Sequence, residues 1–236
     1  PEARKLLVTL YGSLAATGKG HLTDWACEDA FRDGTVAIVW KPKENLPMHP
    51  NGMTVGVIEP DGDVSDAWTY YSIGGGDIVC VENPIQEEGG DDIYELTTLR
   101  EILDWCNTSG KDFWEYVDER EGRNGNLWEH LDKVWKVMRE AVERGIDQEG
   151  SLPGPLNLRR KASSYFIRAE GYSDVLRTRG LIFSYALAVS EENASGGTIV
   201  TGPTCGSCGV LPSVLFHMQK FYNFSNQRIL RALATA

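Results

Sequence analysis

The segment Ser190–Pro212, with the sequence SEENASGGTIVTGPTCGSCGVLP, constrains the fold of this chain more than any other. Glycines, prolines, cysteines and hydroxyl side chains crowd there between two apolar runs that predict buried helices. Gly196 and Gly197 allow a close backbone approach or a positive φ. A helix beginning near Leu211 would direct its N–H groups and positive dipole end at the small polar residues before it, which favours a carboxylate or another anion. The alternative is a close-packed buried turn without a ligand.

The amino-terminal third predicts a mixed α/β domain. Apolar and β-branched residues alternate there, and Pro60–Asp63 is a strong hairpin-turn signal. A helix is predicted over Thr23–Phe31, and the acidic, glycine-bearing stretch Glu82–Asp92 predicts a surface linker. The first domain is therefore placed at residues 1–81 and the linker at 82–97. The predicted strands are Arg4–Leu10, Thr35–Trp40, Met53–Glu59 and Ala67–Ile73.

From residue 98 onward the apolar period is that of a helix, so residues 98–236 are predicted to be all-helical. Thr98 and Glu101 fit a capping box, and Gly110 is expected to end this first helix. A second helix is predicted from Asn126, with Gly145 as its stop. The predicted fold class is α+β. Further helices are predicted over Val175–Ser190, Leu211–Tyr222 and Asn226–Ala236.

Charge and composition narrow the classes of partner. The formal net charge of −11 argues against nucleic acid as a partner, because nothing would offset phosphate repulsion. No apolar run approaches the ~20 residues of a membrane span, and no signal-peptide pattern opens the chain. Five scattered cysteines are typical of a reducing cytoplasm. A cytoplasmic protein that binds neither nucleic acid nor a membrane is therefore expected.

Five runs, which follow one another along the chain in the order found in a known family, give the chain a resemblance to that family. Ser190–Pro212 resembles the signature that opens the catalytic domain of the bacterial iron–sulfur L-serine dehydratases, with Gly202 where the family usually has alanine. The other four runs are YGSLAATGKGHLTD (Tyr11–Asp24), LPMHPNGM (Leu46–Met53), YYSIGGG (Tyr70–Gly76) and LPGPLNLRRKAS (Leu152–Ser163). The resemblance covers most of the chain.

The resemblance implies a lyase that eliminates water from L-serine to give pyruvate and ammonia, acting in amino-acid degradation and gluconeogenesis as a homodimer. It implies a first domain of the serine-dehydratase β type, similar to the allosteric substrate-binding domain of some phosphoglycerate dehydrogenases. The family's amino-terminal GPSSSHT segment and its distal catalytic half do not occur in this sequence. The chain is therefore expected to be a fragment, inactive by itself.

The run TGKGH, Thr17–His21, contains the predicted base. A P-loop is excluded, because serine stands six residues before Lys19 and glycine follows it. From the residues alone, His21 is either a proton acceptor or a hydrogen-bonded structural histidine. The resemblance implies that His21 is the general base, oriented by Thr23, and that Lys19 belongs to the same catalytic set. The catalytic centre is expected to form where this loop meets the Ser190–Pro212 turn.

The predicted substrate-binding residues come from two regions. Backbone groups around Ser195–Gly197 and Thr204–Ser207 are expected to hold the carboxylate. Asn51 offers a donor and an acceptor to an amino acid, in a catalytic or an allosteric site; the alternative is a turn-capping Asn51 beside a packed His49. The full predicted set is Ser195, Gly196, Gly197, Thr204, Cys205 and Asn51.

The basic run Arg159–Lys161 lies in a segment, Gly150–Lys161, that prolines exclude from regular structure. Such a run can attract a carboxylate, although three basic residues in a row usually form a solvated surface.

The cysteines do not complete a metal site in the sequence. Cys205 and Cys208 form one CxxC pair, which is half of a zinc or iron–sulfur ligand set, and there is no second pair. The resemblance implies a [4Fe–4S] cluster that acts as a Lewis acid, with its cysteine ligands expected beyond Ala236, so no metal ligand is expected in this chain. Two alternatives stay open. One is a pyridoxal-phosphate enzyme with Ser72–Gly76 as phosphate loop and Lys19 as Schiff base; the other is a non-catalytic serine-sensing module.

Overall fold

The computed structural model describes residues 5–31, 34–74, 77–83, 93–153, 157–201 and 205–236. These residues form two compact units, one with the described residues up to 83 and one with those from 93 to 152 and from 157 onward. The first contains a mixed sheet and the second is helical, so the predicted α+β fold class is confirmed. Residues 84–92, most of the predicted linker, lie outside the described residues, and the domain limits stay a prediction.

The first unit is built on a five-stranded sheet in the order β2-β1-β3-β4-β5. The strands are β1 Lys5–Tyr11, β2 Thr35–Lys41, β3 Gly52–Ile58, β4 Val64–Gly74 and β5 Asp77–Cys80. β1 and β2 are parallel, and the other pairs are antiparallel. Helices α1 Gly12–Gly18 and α2 Thr23–Ala30 connect β1 to β2, since parallel strands need a crossover connection.

All four predicted strands occur in this sheet, whereas the short β5 was not predicted. Val8 and Leu10 of β1 are fully buried and pack with Ala15 and Cys27 from the two helices. The Ser72–Gly74 part of the glycine run continues strand β4, and its pairing with β5 shifts register there, as at a β-bulge. The described part of the proposed phosphate loop is therefore strand, while Gly75 and Gly76 lie outside the described residues.

The second unit is helical. Its helices in the described residues are α3 Leu99–Ser109, α4 Phe113–Glu121, α5 Leu127–Asp147, α6 Ala162–Glu170, α7 Asp174–Ala194, α8 Val210–Tyr222 and α9 Asn226–Thr235. The capping box of Thr98 and Glu101 is confirmed, and Gly110 follows α3 with a φ of 70°. The short helices α4 and α6 were not predicted. None of the helices in the described ranges is long and apolar enough to cross a membrane.

Helix α7 lies at the centre of this unit and packs against α5, α6 and α8. Leu181, Tyr185 and Val189 belong to its buried core. The prediction that Gly145 stops α5 is wrong, because the helix continues to Asp147. A Cβ at Gly145 would lie 2.4 Å from the main-chain oxygen of Ala188, so glycine is required there for the close approach of α5 to α7.

Candidate functional site

The carboxyl end of α7 carries two buried carboxylates. The helix runs four residues beyond its predicted end at Ser190, so that Glu191 and Glu192 lie in its last turns. Their exposed fractions are 5% and 6%. A carboxylate at this end of a helix faces the negative end of the helix dipole, and burial adds a desolvation cost. Both side chains therefore need cations or N–H donors close by.

Glu192 lies between two arginines. Arg144 Nε donates to Glu192 Oε2 at 3.1 Å, and Arg160 Nη1 donates to Glu192 Oε1 at 3.2 Å. The side chains of Arg160 and Glu192 are only 9% and 8% exposed. Arg160 is thus not part of a solvated basic surface, in contrast to the usual behaviour of such a run. Its guanidinium is already paired with a protein carboxylate, which it shares with Arg144.

Glu191 caps a different helix. Its Oε1 accepts hydrogen bonds from the backbone N–H groups of Lys161, at 2.6 Å, and Ala162, at 3.2 Å. Lys161, the N-cap residue of α6, makes no side-chain cap of its own. The first N–H groups of a helix lack partners inside the helix, so a carboxylate from a neighbouring helix stabilises this end. Glu191 and Glu192 together connect the end of α7 to residues 160–162 and to Arg144 of α5.

A tight turn, Ser195–Gly197, follows α7. The N–H groups of Ser195 and Gly197 donate to the main-chain oxygen of Glu192 at 3.1 and 2.8 Å, and that of Gly196 donates to the oxygen of Asn193 at 3.3 Å. Gly196 has a φ of 76°, so the positive φ considered for this pair is found. These three amides already have acceptors within the turn. The role of the three residues in substrate binding stays a prediction.

The two arginines also hold the turn. Arg160 Nη2 donates to Ser195 Oγ at 2.7 Å, and Ser195 Oγ donates to the main-chain oxygen of Glu191 at 2.8 Å. Arg144 Nη2 donates to the main-chain oxygen of Thr198 at 2.6 Å. Each arginine therefore connects the carboxylate of Glu192 to one end of the turn. We call Arg144, Arg160, Glu192 and Ser195 the arginine clamp.

The rest of the signature leads into α8. Thr204 lies outside the described residues, and Cys205 begins a single 3₁₀ turn, Cys205–Ser207, with no description of the cysteine side chain. Helix α8 begins at Val210, close to the predicted start. A Cβ at Gly209 would lie 2.4 Å from the main-chain oxygen of Ala186, so this helix start packs directly against the backbone of α7. The predicted roles of Thr204 and Cys205 stay predictions.

The predicted catalytic residues lie in the first unit. His21 is the exposed last residue of a 3₁₀ turn, Lys19–His21, and the Nζ atom of Lys19 lies 5.5 Å from the centre of the Trp40 ring. Leu22 has a φ of 58°, which is a strained backbone conformation for a bulky side chain. Strained backbone conformations of this kind cluster at functional sites. Thr23 begins α2, and no hydrogen bond links it to His21 among the described residues. The proposed orienting role of Thr23 therefore has no contact to support it here.

The turn at residues 49–51 is capped by the histidine. The backbone N–H of Asn51 donates to His49 Nδ1 at 3.1 Å, and the main-chain oxygen of Asn51 accepts from the N–H of Ser72 at 3.0 Å. The alternative drawn from the sequence had the asparagine side chain as the cap. Instead, the histidine ring is the cap, and no hydrogen bond from the side-chain amide of Asn51 is found within the described ranges.

The described residues do not fit an iron–sulfur cluster. Such a cluster is held by several converging cysteine thiolates. Of the cysteines whose side chains are described, Cys27 and Cys80 lie in the first unit and Cys106 and Cys208 in the second. Nowhere in the described part of the chain do three His, Cys, Asp or Glu side chains come close enough to share a metal ion. We therefore derive no chemical step through a cluster.

Sequence reasoning missed Glu191, Glu192 and Arg144. A signal was available, because two adjacent carboxylates end an apolar helix at the pole where negative charge is unfavourable. That pattern predicts cationic or N–H partners without naming them. Their identity depends on contacts between segments far apart in sequence.

Comparison with known proteins gives the family. Residues 86–236 match the model of the serine dehydratase alpha chain, and residues 30–83 match that of the serine dehydratase beta chain. The chain therefore belongs to the serine dehydratase family. This confirms the resemblance found in the sequence.

Individual relatives agree with this assignment. The L-serine dehydratase of Haemophilus influenzae is 32% identical over 93% of this chain and 58% of its own length. L-serine dehydratase 1 of Escherichia coli is 33% identical over 92% of this chain and 57% of its own length. The L-serine dehydratase of Helicobacter pylori strain 26695 is 31% identical over 98% of this chain and 61% of its own length. The chain thus spans about three fifths of the length of these curated relatives.

Proposed function

We propose that the protein carrying this chain is an L-serine ammonia-lyase, which converts L-serine into pyruvate and ammonia. The observation that carries the proposal is the family match of both parts of the chain, in order, to the two serine dehydratase domains. The arginine clamp supports it, because Arg144 and Arg160 hold Glu192 and Ser195 of the signature segment in a largely buried cluster rather than in an ordinary solvated loop. We also propose a first domain at residues 1–81, a linker at 82–97, a helical segment at 98–236 and a homodimeric assembly.

The reaction breaks two bonds of serine. Removal of the α-proton and departure of the β-hydroxyl, protonated as water, leave 2-aminoacrylate. This enamine tautomerises to an imine, and water hydrolyses the imine to pyruvate and ammonia. Because the α-proton is weakly acidic and hydroxide leaves poorly, the protein has to supply a base and stabilise the developing charge.

We assign the base to His21. Its ring is exposed, and it directly precedes the strained residue Leu22, whose left-handed backbone turns the chain between the 3₁₀ turn and α2. In this proposal the imidazole accepts the α-proton, while Lys19 and Thr23, each two residues away in the chain, complete the catalytic set. The side-chain amide of Asn51, which has no described partner, contributes a donor and an acceptor toward the amino acid.

The proposed substrate set also includes Ser195, Gly196, Gly197, Thr204 and Cys205. The [4Fe–4S] cluster that the resemblance implies would supply a Lewis acid. The described residues do not furnish its ligands, so the roles proposed here are limited to proton transfer and substrate binding by this chain's own groups.

The test uses the full-length protein and couples pyruvate formation from L-serine to NADH oxidation. We expect turnover by the wild type and a fall in kcat of about 10²–10⁴-fold in His21→Ala, the usual contribution of a general base. His130→Ala, which removes another exposed histidine, is the matched control and should keep its kcat. His49→Ala should change the KM for serine more than kcat.

Three results would contradict the proposal. Serine binding without turnover would support the sensing module instead. A yellow Schiff-base absorbance band would support pyridoxal phosphate, whereas a brown, oxygen-sensitive absorbance would support a cluster. Near-normal kcat in His21→Ala together with an inactive His49→Ala would reverse the roles assigned to these two histidines.

A further inference from the structure

We propose that Arg160 is a positioning residue that fixes the hydroxyl of Ser195, so that Ser195 can accept a hydrogen bond from the ammonium group of the substrate but cannot donate one to its carboxylate. The inference rests on the proposed function and adds which group of the amino acid meets Ser195. It comes from the arginine clamp, none of whose charged members sequence reasoning had placed in the site.

The main chain of Arg160 is anchored. Its N–H donates to the oxygen of Gly150 at 2.9 Å, and an antiparallel bridge joins Ser151 to Arg159. The N–H of Leu152 donates to the oxygen of Leu158 at 2.7 Å. The guanidinium of Arg160 therefore extends from a fixed backbone position into a site where its side chain is only 9% exposed.

Both terminal nitrogens of the Arg160 guanidinium donate hydrogen bonds. Nη1 donates to Glu192 Oε1 at 3.2 Å, and Nη2 donates to Ser195 Oγ at 2.7 Å. An arginine fork is planar, so two bonds made by its two arms fix the orientation of the whole group. The ammonium of a lysine is a point charge on a flexible stem and cannot reproduce this geometry.

The hydroxyl of Ser195 then has one hydrogen-bonding capacity left. A serine hydroxyl offers one proton and two lone pairs. The proton is directed to the main-chain oxygen of Glu191 at 2.8 Å, and one lone pair accepts from Arg160. The remaining lone pair can only accept. A carboxylate has no proton to give, whereas the ammonium of L-serine has three.

The existing bonds of the clamp favour the same conclusion. The carboxylate of Glu192 pairs with both Arg144 and Arg160, so the guanidinium of Arg160 already has a protein partner before any ligand binds. The amides of the Ser195–Gly197 turn donate to main-chain oxygens. A substrate carboxylate that took the place of Glu192 or Ser195 on Arg160 would break one of these bonds inside a largely desolvated site.

The first experiment is a double-mutant cycle in the full-length protein, measuring kcat and KM for L-serine. Arg160→Lys should lower kcat/KM by about 10–100-fold, the usual effect of losing a residue that orients a binding group. In the Ser195→Ala background the same change should have an effect within about 3-fold, because residues that act through one another are not additive. Arg159→Lys, at the exposed neighbouring arginine, is the matched control and should resemble the wild type.

The second experiment identifies the substrate group by competitive inhibition. We expect Ser195→Ala to weaken inhibition by 2-aminoethanol, which keeps the ammonium, more than inhibition by 3-hydroxypropanoate, which keeps the carboxylate. The reverse order would overturn the assignment of the ammonium group. If Arg160→Lys lowered kcat/KM by the same factor in the wild-type and the Ser195→Ala backgrounds, the positioning role would be overturned.

Two further measurements keep the inference testable. If Arg160→Lys does not fold, Glu192→Gln replaces it in the same cycle, since it keeps a carbonyl acceptor at the same place. If the wild type shows no turnover of L-serine, the proposed function fails and positioning is tested by hydrogen exchange instead. Amides 195–198 should then exchange faster in Arg160→Lys than in Arg159→Lys, and unchanged exchange would overturn the positioning role by itself.

Discussion

Replacing Gly145 by alanine should destabilise the helical unit, although alanine is the better helix former. A Cβ at this position would lie 2.4 Å from the oxygen, 2.6 Å from the carbonyl carbon and 2.8 Å from the Cα of Ala188. The first distance is about 1 Å below an ordinary van der Waals contact. All three contacts are with the backbone of α7, so no side-chain rotation relieves them. Helices α5 and α7 would have to separate along a seam that includes the fully buried Val142.

The magnitude follows from two opposing terms. Alanine in place of glycine in a helix interior contributes about 1 kcal/mol in favour of folding. Overpacking of a buried contact costs about 1–3 kcal/mol, and contact between two backbones places Gly145→Ala at the upper end of that range. We therefore expect a net loss of about 2 kcal/mol in the free energy of unfolding.

Urea unfolding followed by tryptophan fluorescence measures this loss, since Trp135 is buried in the same unit. Gly171→Ala is the matched control, because the nearest atom to its new Cβ is the oxygen of Arg168 at 3.5 Å and its φ is −87°. The control should change the free energy of unfolding by no more than about 0.5 kcal/mol. A Gly145→Ala protein as stable as the control would refute the argument that glycine is present for close helix packing.

Three further predictions concern individual side chains of this unit. Burial lowers the pKa of His217, whose ring nitrogens have no hydrogen-bond partner among the described residues, so below about pH 6.5 the unfolded chain binds a proton that the native state refuses. The free energy of unfolding in urea should therefore decrease by up to about 1.4 kcal/mol for each pH unit below that value. In His217→Phe it should decrease less steeply. Thr98→Ala should lose about 1 kcal/mol and speed amide exchange at the start of α3, whereas Thr98→Ser should retain the cap. Burial raises the pKa of Tyr185 to about 12, and its hydroxyl has no partner in the described part of the chain, so Tyr185→Phe should leave the melting temperature unchanged or raise it. Tyr116→Phe is the matched control and should lower the melting temperature, because the Tyr116 hydroxyl accepts a hydrogen bond from the N–H of Leu96 at 3.3 Å.

Features that depend only on residues close together in the sequence could be predicted. The capping box of Thr98 and Glu101 is a local pattern, and the structure contains both of its hydrogen bonds. The alternation that predicted the strands reflects one buried and one exposed face, which again is local. Strand β5 was missed because its four residues are too few for an alternation to be recognised. Helices α4 and α6 are each nine residues long, too short for a clear apolar stripe.

Features that depend on distant partners could not be predicted in the same way. Gly145 has the composition of a helix stop, and only the presence of α7 against it gives the glycine its actual role. Arg159 and Arg160 are chemically identical neighbours, yet one is exposed and the other is buried against Glu192. Their difference arises from the antiparallel bridge that directs Arg160 toward the end of α7. No property of the three-residue basic run distinguishes them.

The glycines of the signature turn and the buried carboxylate before it form one structural requirement. A Cβ at Gly197 would lie 2.6 Å from Glu192 Oε2 and 3.1 Å from the main-chain oxygen of Glu192. An exposed glutamate would move aside at little cost, but this carboxylate is bound to Arg144 and Arg160, and moving it would break both ion pairs in a desolvated site. The residue that follows Gly196 must therefore lack a side chain because Glu192 is buried beneath it. A glycine pair that sequence reasoning connected with a ligand is thus already needed to accommodate the protein's own charge.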